Sequence, residues 1–208
     1  MNTVQADKEL LKKLIILAGK AKVDLARHFI RDWFEYPCDS ILIGIATALI
    51  GPDERAFTIY FRIKLGQRYR GFKTVIDYLS NENLENLKNE LEKCVGGLPD
   101  WFVDALRGLI DLSRDPKFQL DRKKDLSDID PDELYGRLRS IRGFGGEEVP
   151  SWVICELCRI WNLRFPSDLS LSPSTKERLQ PLGLSENDFN CEDFPYVDAA
   201  MFALKRDP

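Results

Sequence analysis

Gly143-Phe144-Gly145-Gly146 is the stretch whose residue types and spacing can hold an anion. Leu138 and Ile141 lie three apart and share one helix face. Val149, Trp152 and Val153 restart an apolar helical face after the glycines. The spacing therefore predicts a helix, a tight Gly-Phe-Gly hairpin and a second helix. Gly143 and Gly145 can take backbone angles that other residues avoid, and they leave the chain bare. A bare turn leading into a helix start points unpaired N–H groups outward, which is a phosphate-binding arrangement. Arg142 stands beside the turn, with Arg137 and Arg139 just before it.

The elements that must carry this hairpin read as helices throughout, so the fold class is all-α. Apolar residues recur at helical period from Lys8 to Phe34, with Gly19 as a place for a kink or break. Pro37 breaks that helix, and Asp39 or Ser40 caps the next. Ser40 to Ile50 is almost wholly apolar and predicts a buried central helix stopping at Gly51-Pro52. Asp53 caps a helix carrying Ala56, Phe57, Ile59, Tyr60, Ile63 and Leu65. Phe72 to Leu79 makes a further helix, with Ser80 capping the one that holds Leu84, Leu87 and Leu91, and Gly96-Gly97 ends it. Trp101 to Leu112 is amphipathic, and Asp115 to Asp130 is a polar connection. Asp130-Pro131 starts the first hairpin helix as cap and first helical residue. After the core helix Trp152 to Trp161 come Phe165-Pro166-Ser167-Asp168, a polar loop, a helix from Ser174 to Leu179, and a short apolar helix from Tyr196. Strand alternation, repeats and low-complexity tracts are missing from the pattern.

With 208 residues, 44% of them hydrophobic, the chain supports one domain or two small lobes around a shared core. Its apolar runs are too short to span a bilayer. The first residues, Met1 to Asp7, lack the basic-then-apolar layout of a secretory signal. Five irregularly spaced cysteines point to a reducing cytoplasm rather than a disulfide framework. Cys155 and Cys158 lie one turn apart and read as buried structural cysteines, so neither metal nor cofactor is expected. The single histidine, His28, cannot build a Ser-His-Asp or His-based metal site alone, and reads as a surface or capping residue. A net charge of −4 argues against a broadly basic nucleic-acid footprint, although a local basic face can sit on an acidic protein. The basic clusters at Arg62 to Lys73, at Arg122-Lys123-Lys124 and at Arg137, Arg139 and Arg142 read as solvated faces.

The order of these segments resembles the helix-hairpin-helix DNA glycosylase superfamily, of which endonuclease III is a familiar member. The resemblance covers roughly residues 37–204. Its strongest part is Leu138-x-x-Ile141-x-Gly143-Phe144-Gly145-x-x-x-Val149, against the family's Leu-x-x-Leu-Pro-Gly-Val-Gly-x-x-x-Ala. Leu42-Ile43-x-Ile45-x-x-Ala48-x-Ile50-x-x-Asp53 resembles the family's buried helix ending in Ala-Gln-x-x-Asp. Phe165-Pro166-Ser167-Asp168 resembles the Pro-Asp-Asp turn of alkylpurine glycosylases.

The resemblance implies a two-lobed helical fold, with lobes over about 37–130 and over 1–36 plus 131–208. It implies a cytoplasmic monomer that binds double-stranded DNA containing a damaged or mismatched base, and hydrolyses the N-glycosidic bond of that base. Asp168 is then the carboxylate that stabilises the positive charge of the oxocarbenium-like sugar and positions water. Arg142, Gly143, Phe144, Gly145 and Gly146 grip the DNA backbone. Ile50 stands where the family carries its glutamine wedge, and an apolar side chain can still fill the gap left by a flipped base. Trp152 is the pocket aromatic, while Trp33, Trp101 and Trp161 read as core.

The departures restrict the chemistry. Glu147 occupies the place of the catalytic lysine of bifunctional members, and a carboxylate cannot form a Schiff base, so lyase activity is not expected. The four-cysteine cluster of endonuclease III has no counterpart. Glu147 and Glu148 complement the helix dipole but repel a nearby phosphate. Two other readings stay open: a non-catalytic DNA-binding protein of the same shape, and a helical protein-interaction domain without a DNA partner. An Asp at position 168 is also compatible with simple capping of its own turn.

Overall fold

The computed structural model of this chain describes residues 3–30, 33–50, 54–144 and 148–203, with the side chains of Ile50, Trp152 and some other helical residues outside that description. Ten α-helices and three short 3₁₀ turns make up the regular structure among the described residues. The chain divides into two compact units, residues 1–33 with 165–208 and residues 34–164. Residues 131–164 lie with 34–130 in the second of these units.

In the central unit, α2 (Pro37–Ile50) is the buried helix. Its residues Ile41, Leu42, Ile43, Ile45 and Ala46 are buried because neighbours pack on several of its sides. Pro37 is the first residue of α2, not a break before it, because a missing N–H costs nothing in the first turn. Asp39 is not the cap but lies in that first turn. Its Oδ2 accepts from the N–H groups of Glu35 at 2.8 Å and Tyr36 at 3.0 Å, reaching back as a capping-box carboxylate does.

Next come α3 (Glu54–Tyr69), α4 (Val75–Asn81), α5 (Leu84–Val95) and α6 (Trp101–Arg114). The expected cap Asp53 lies outside the described residues. Thr74, not Ser80, is a cap here: its hydroxyl accepts from Asp77 N–H at 3.0 Å and starts α4. Ser80 bonds back to Ile76 O within the helix, and Asn83 caps α5 with bonds of 3.1 Å to Glu85 and Asn86 N–H. The connection from Asp115 to Asp130 is not merely polar, since Phe118, Leu120, Leu126 and Ile129 bury from it into the core. Helix α7 (Pro131–Ser140) begins as expected, with Asp130 accepting from Asp132 N–H and Pro131 in the first turn. Helix α8 (Glu148–Ile160) packs on α2. A Cβ on Gly44 of α2 would fall 2.2 Å from Val153 Cγ2, so that crossing has no room for a larger residue.

The terminal unit pairs α1 (Thr3–Ile30) with α10 (Phe194–Ala203). Helix α1 runs unbroken through Gly19, whose role is close approach rather than a kink: a Cβ there would lie 1.9 Å from the carbonyl oxygen of Tyr196. Ile15 joins Leu171, Leu179, Leu184, Phe194, Val197 and Met201 in one buried cluster. On the same helix Leu10, Leu14 and Leu17 are 58%, 54% and 61% exposed. Helix α9 (Pro173–Leu179) is capped by Ser172, with a hydrogen bond of 3.2 Å from Thr175 N–H. Among the described residues no helix is long and apolar enough to cross a membrane.

Candidate functional site

The turn that follows α7 is built inward from its apolar residues. Ile141 ends α7 in extended conformation and is buried. Phe144 is 1% exposed, and its N–H closes the turn on Ile141 O at 3.1 Å. Between these two anchors Gly143 sits at φ +94°, the left-handed side of the map where a side chain is strained. Trp101, the first residue of α6, lies directly over it: a Cβ on Gly143 would fall 1.9 Å from Trp101 Cε3. Ile141 also faces α6, with its Cγ2 3.2 Å from where a Cβ on Gly108 would stand. Tyr135 and Ser151 tie α7 and α8 together through a buried hydroxyl pair at 2.7 Å.

Charge around the turn is arranged in pairs. The Arg142 guanidinium is 73% exposed and its NH1 donates to Asp104 Oδ2 at 2.6 Å. Arg107, one turn along α6, donates to the other oxygen of Asp104 at 3.1 Å. Arg139 lies over the ring of Tyr135, 5.5 Å from its centroid, and Arg137 pairs with Asp115 at 3.7 Å.

Of the residues expected to grip DNA, Arg142, Gly143 and Phe144 therefore come together at one turn. Phe144 does so as an internal anchor whose side chain faces the core. Gly145, Gly146 and Glu147 lie outside the described residues, as do the side chains of Ile50, Trp152, His28 and Glu148. Trp161 is core, as expected, with its indole N–H donating to Ser40 Oγ at 3.0 Å. Trp101 is not core: it is half-buried and braces the hairpin. Periodicity alone could not separate those two roles, because the partner of Trp101 is 42 positions away at Gly143.

Asp168 lies exposed in a turn of the terminal unit. The segment after it is pinned by residues that sequence reasoning missed. Leu171 N–H donates to Glu186 Oε1 at 2.5 Å, and Lys176 pairs with the other Glu186 oxygen at 3.0 Å. Burial raises the pKa of Glu186, but these donors outweigh it and hold the carboxyl below its usual range. Buried Asp198 accepts from Ser172 Oγ at 3.2 Å, bracing the residue that caps α9. Ser172-Pro173 carried a legible helix-start signal, whereas Glu186 and Asp198 carried none.

A second polar cluster lies within the central unit. Lys64 of α3 is fully buried, with Nζ 3.0 Å from Asp39 Oδ1 and 3.3 Å from Glu35 Oε2. Burial pushes the Cys38 thiol and the Tyr60 phenol beside it well up, so neither is ionised near neutrality. Such a buried lysine, already paired, locks α3 to the start of α2 and is closed to substrate. Among the described residues no group of three or more His, Cys, Asp or Glu is placed to hold a metal ion. All five cysteines are free thiols, Cys38, Cys155 and Cys158 of them buried.

The fold is all-α, and its candidate site is a glycine turn between two helices. No protein-family model matches the chain, and no curated protein or solved structure matches it either.

Proposed function

We propose that this protein is a monofunctional DNA glycosylase of the helix-hairpin-helix kind, acting on a damaged or mismatched base in double-stranded DNA. The observation that carries the reading is the hairpin turn. Ile141 and Phe144 are buried on either side of a left-handed Gly143, the turn geometry that a phosphate-binding glycine loop requires. In this reading the hairpin clamps a phosphate, Ile50 fills the space left by the extruded base, and Trp152 stacks on that base. Asp168 then stabilises the sugar cation as the C1′–N bond breaks. Water bonds to C1′, and the proton it loses neutralises the departing base. Glu147 in the lysine position removes the Schiff-base route, so the reaction stops at an abasic site.

Purified protein is expected to release free base from at least one duplex in a panel of alkylated, deaminated and mismatched substrates. Asp168→Asn is expected to lower that release at least a hundredfold with an unchanged circular dichroism melt. Borohydride is expected to trap no covalent protein–DNA adduct. A trapped adduct would contradict the monofunctional assignment.

The second reading, DNA binding without catalysis, is favoured by one observation: Asp168 is exposed, and an exposed carboxylate lacks the low-dielectric surroundings that strengthen charge stabilisation. It predicts salt-dependent duplex binding with no base release from any substrate.

A further inference from the structure

We infer that Asp104 is a built-in competitor for DNA phosphate at the hairpin, lowering the protein's affinity for undamaged duplex. The inference rests on the DNA-binding reading and adds to it a means of regulating that site.

Asp104 presents one carboxylate to two guanidinium groups. Oδ2 takes Arg142 NH1 at 2.6 Å, and Oδ1 takes Arg107 NH1 at 3.1 Å. This bridging pattern is what the two free oxygens of a phosphodiester would make with the same pair of arginines. The arginines are 73% and 56% exposed, so their remaining N–H groups are open to solvent and to an approaching strand. Glu85 adds a longer contact to Arg107 at 3.7 Å. The four side chains sum to zero charge, so this cluster is neutral where a phosphate clamp would be basic.

An exposed ion pair of this kind contributes little to folding, because water screens it and two long side chains must be held still. Its position gives it another consequence. The pair joins the hairpin turn to α6 across 38 positions of sequence, at the same end of α6 where Trp101 covers Gly143. Phosphate must displace Asp104 from Arg142 to gain a charge-assisted bond there. The gain is therefore an exchange of partners rather than a new contact, which favours release from DNA that offers nothing else to hold.

Fluorescence anisotropy with an undamaged labelled duplex, at several salt concentrations, tests this in the wild type, Asp104→Asn, Asp104→Ala and Arg142→Gln. Both Asp104 variants are expected to bind roughly fivefold tighter than wild type. Their slope of log affinity against log salt should steepen by about 0.9, one further phosphate contact. Arg142→Gln is expected to bind more weakly with a shallower slope. Weaker or unchanged binding by both Asp104 variants, with the wild type binding and Arg142→Gln impaired, overturns this inference and leaves the DNA reading standing. Salt-independent or absent binding by all four proteins overturns both. Binding seen only in the Asp104 variants supports both.

Discussion

Gly143 answers to two constraints at once. Its φ of +94° strains any side chain, and the ring of Trp101 occupies the place of its Cβ. Gly143→Ala is therefore expected to destabilise the protein by roughly 2–4 kcal/mol in urea denaturation, combining backbone strain with overpacking. Trp101→Ala in the same chain should recover about 1–2 kcal/mol of the overpacking part, since the smaller residue vacates that space. Simple additivity of the two losses would show that the ring does not press on the turn. The glycine was legible in the sequence as a turn residue. Its ceiling was not, because an aromatic at the start of an amphipathic helix looks like any other core residue until its long-range partner is known.

At the scale of elements, two polar locks hold helices in place. Lys64 ties α3 to α2, and removing it strands Asp39 in the core. Lys64→Met should cost about 3–5 kcal/mol, and adding Asp39→Asn should recover part of that, because the amide oxygen still accepts from Glu35 and Tyr36 without a buried charge. Equal loss in the single and double variants would contradict the ion-pair account. In the terminal unit Glu186 pins the segment after Asp168. Its pKa is depressed in the fold, so its contribution is present above the unfolded value of 4.5 and is lost as pH falls below it. Glu186→Gln is expected to lower stability by about 1 kcal/mol at pH 7 and to flatten the acid limb of the stability profile. An unchanged acid limb in the variant would count against this pin. The helix start at Asp130-Pro131 was readable because capping is local, whereas the helix read from Ser174 begins at Pro173 under a Ser172 cap. Lys64 and Glu186 were not readable, because a lone charged residue on a helix reads as solvent-facing until its partner arrives from elsewhere in the chain.

For the molecule as a whole, helical periodicity sufficed for the fold class, since apolar faces at 3.6-residue spacing and the want of alternation leave little else. It did not suffice for the stretch from Asp115 to Asp130. Phe118, Leu120, Leu126 and Ile129 are scattered among charges between Asp115 and Asp130, and their burial extends the central core through what reads as a linker. Helix α7 and the turn at Gly143 belong to the same central unit. Gly143 was legible as a turn residue, and the pairing of Arg142 with Asp104 was not. A net charge of −4 therefore says less about DNA than the local pairing does. If the proposed function holds, the turn at Gly143 is the surface that meets DNA. The most direct measurement is the perturbation of backbone amide resonances when an undamaged duplex is added to isotopically labelled protein. The account predicts the largest shifts at Arg142, Gly143 and Glu148, fading as salt is raised. Hairpin amides that stay unmoved while others shift, or a spectrum that does not change at all, would contradict it.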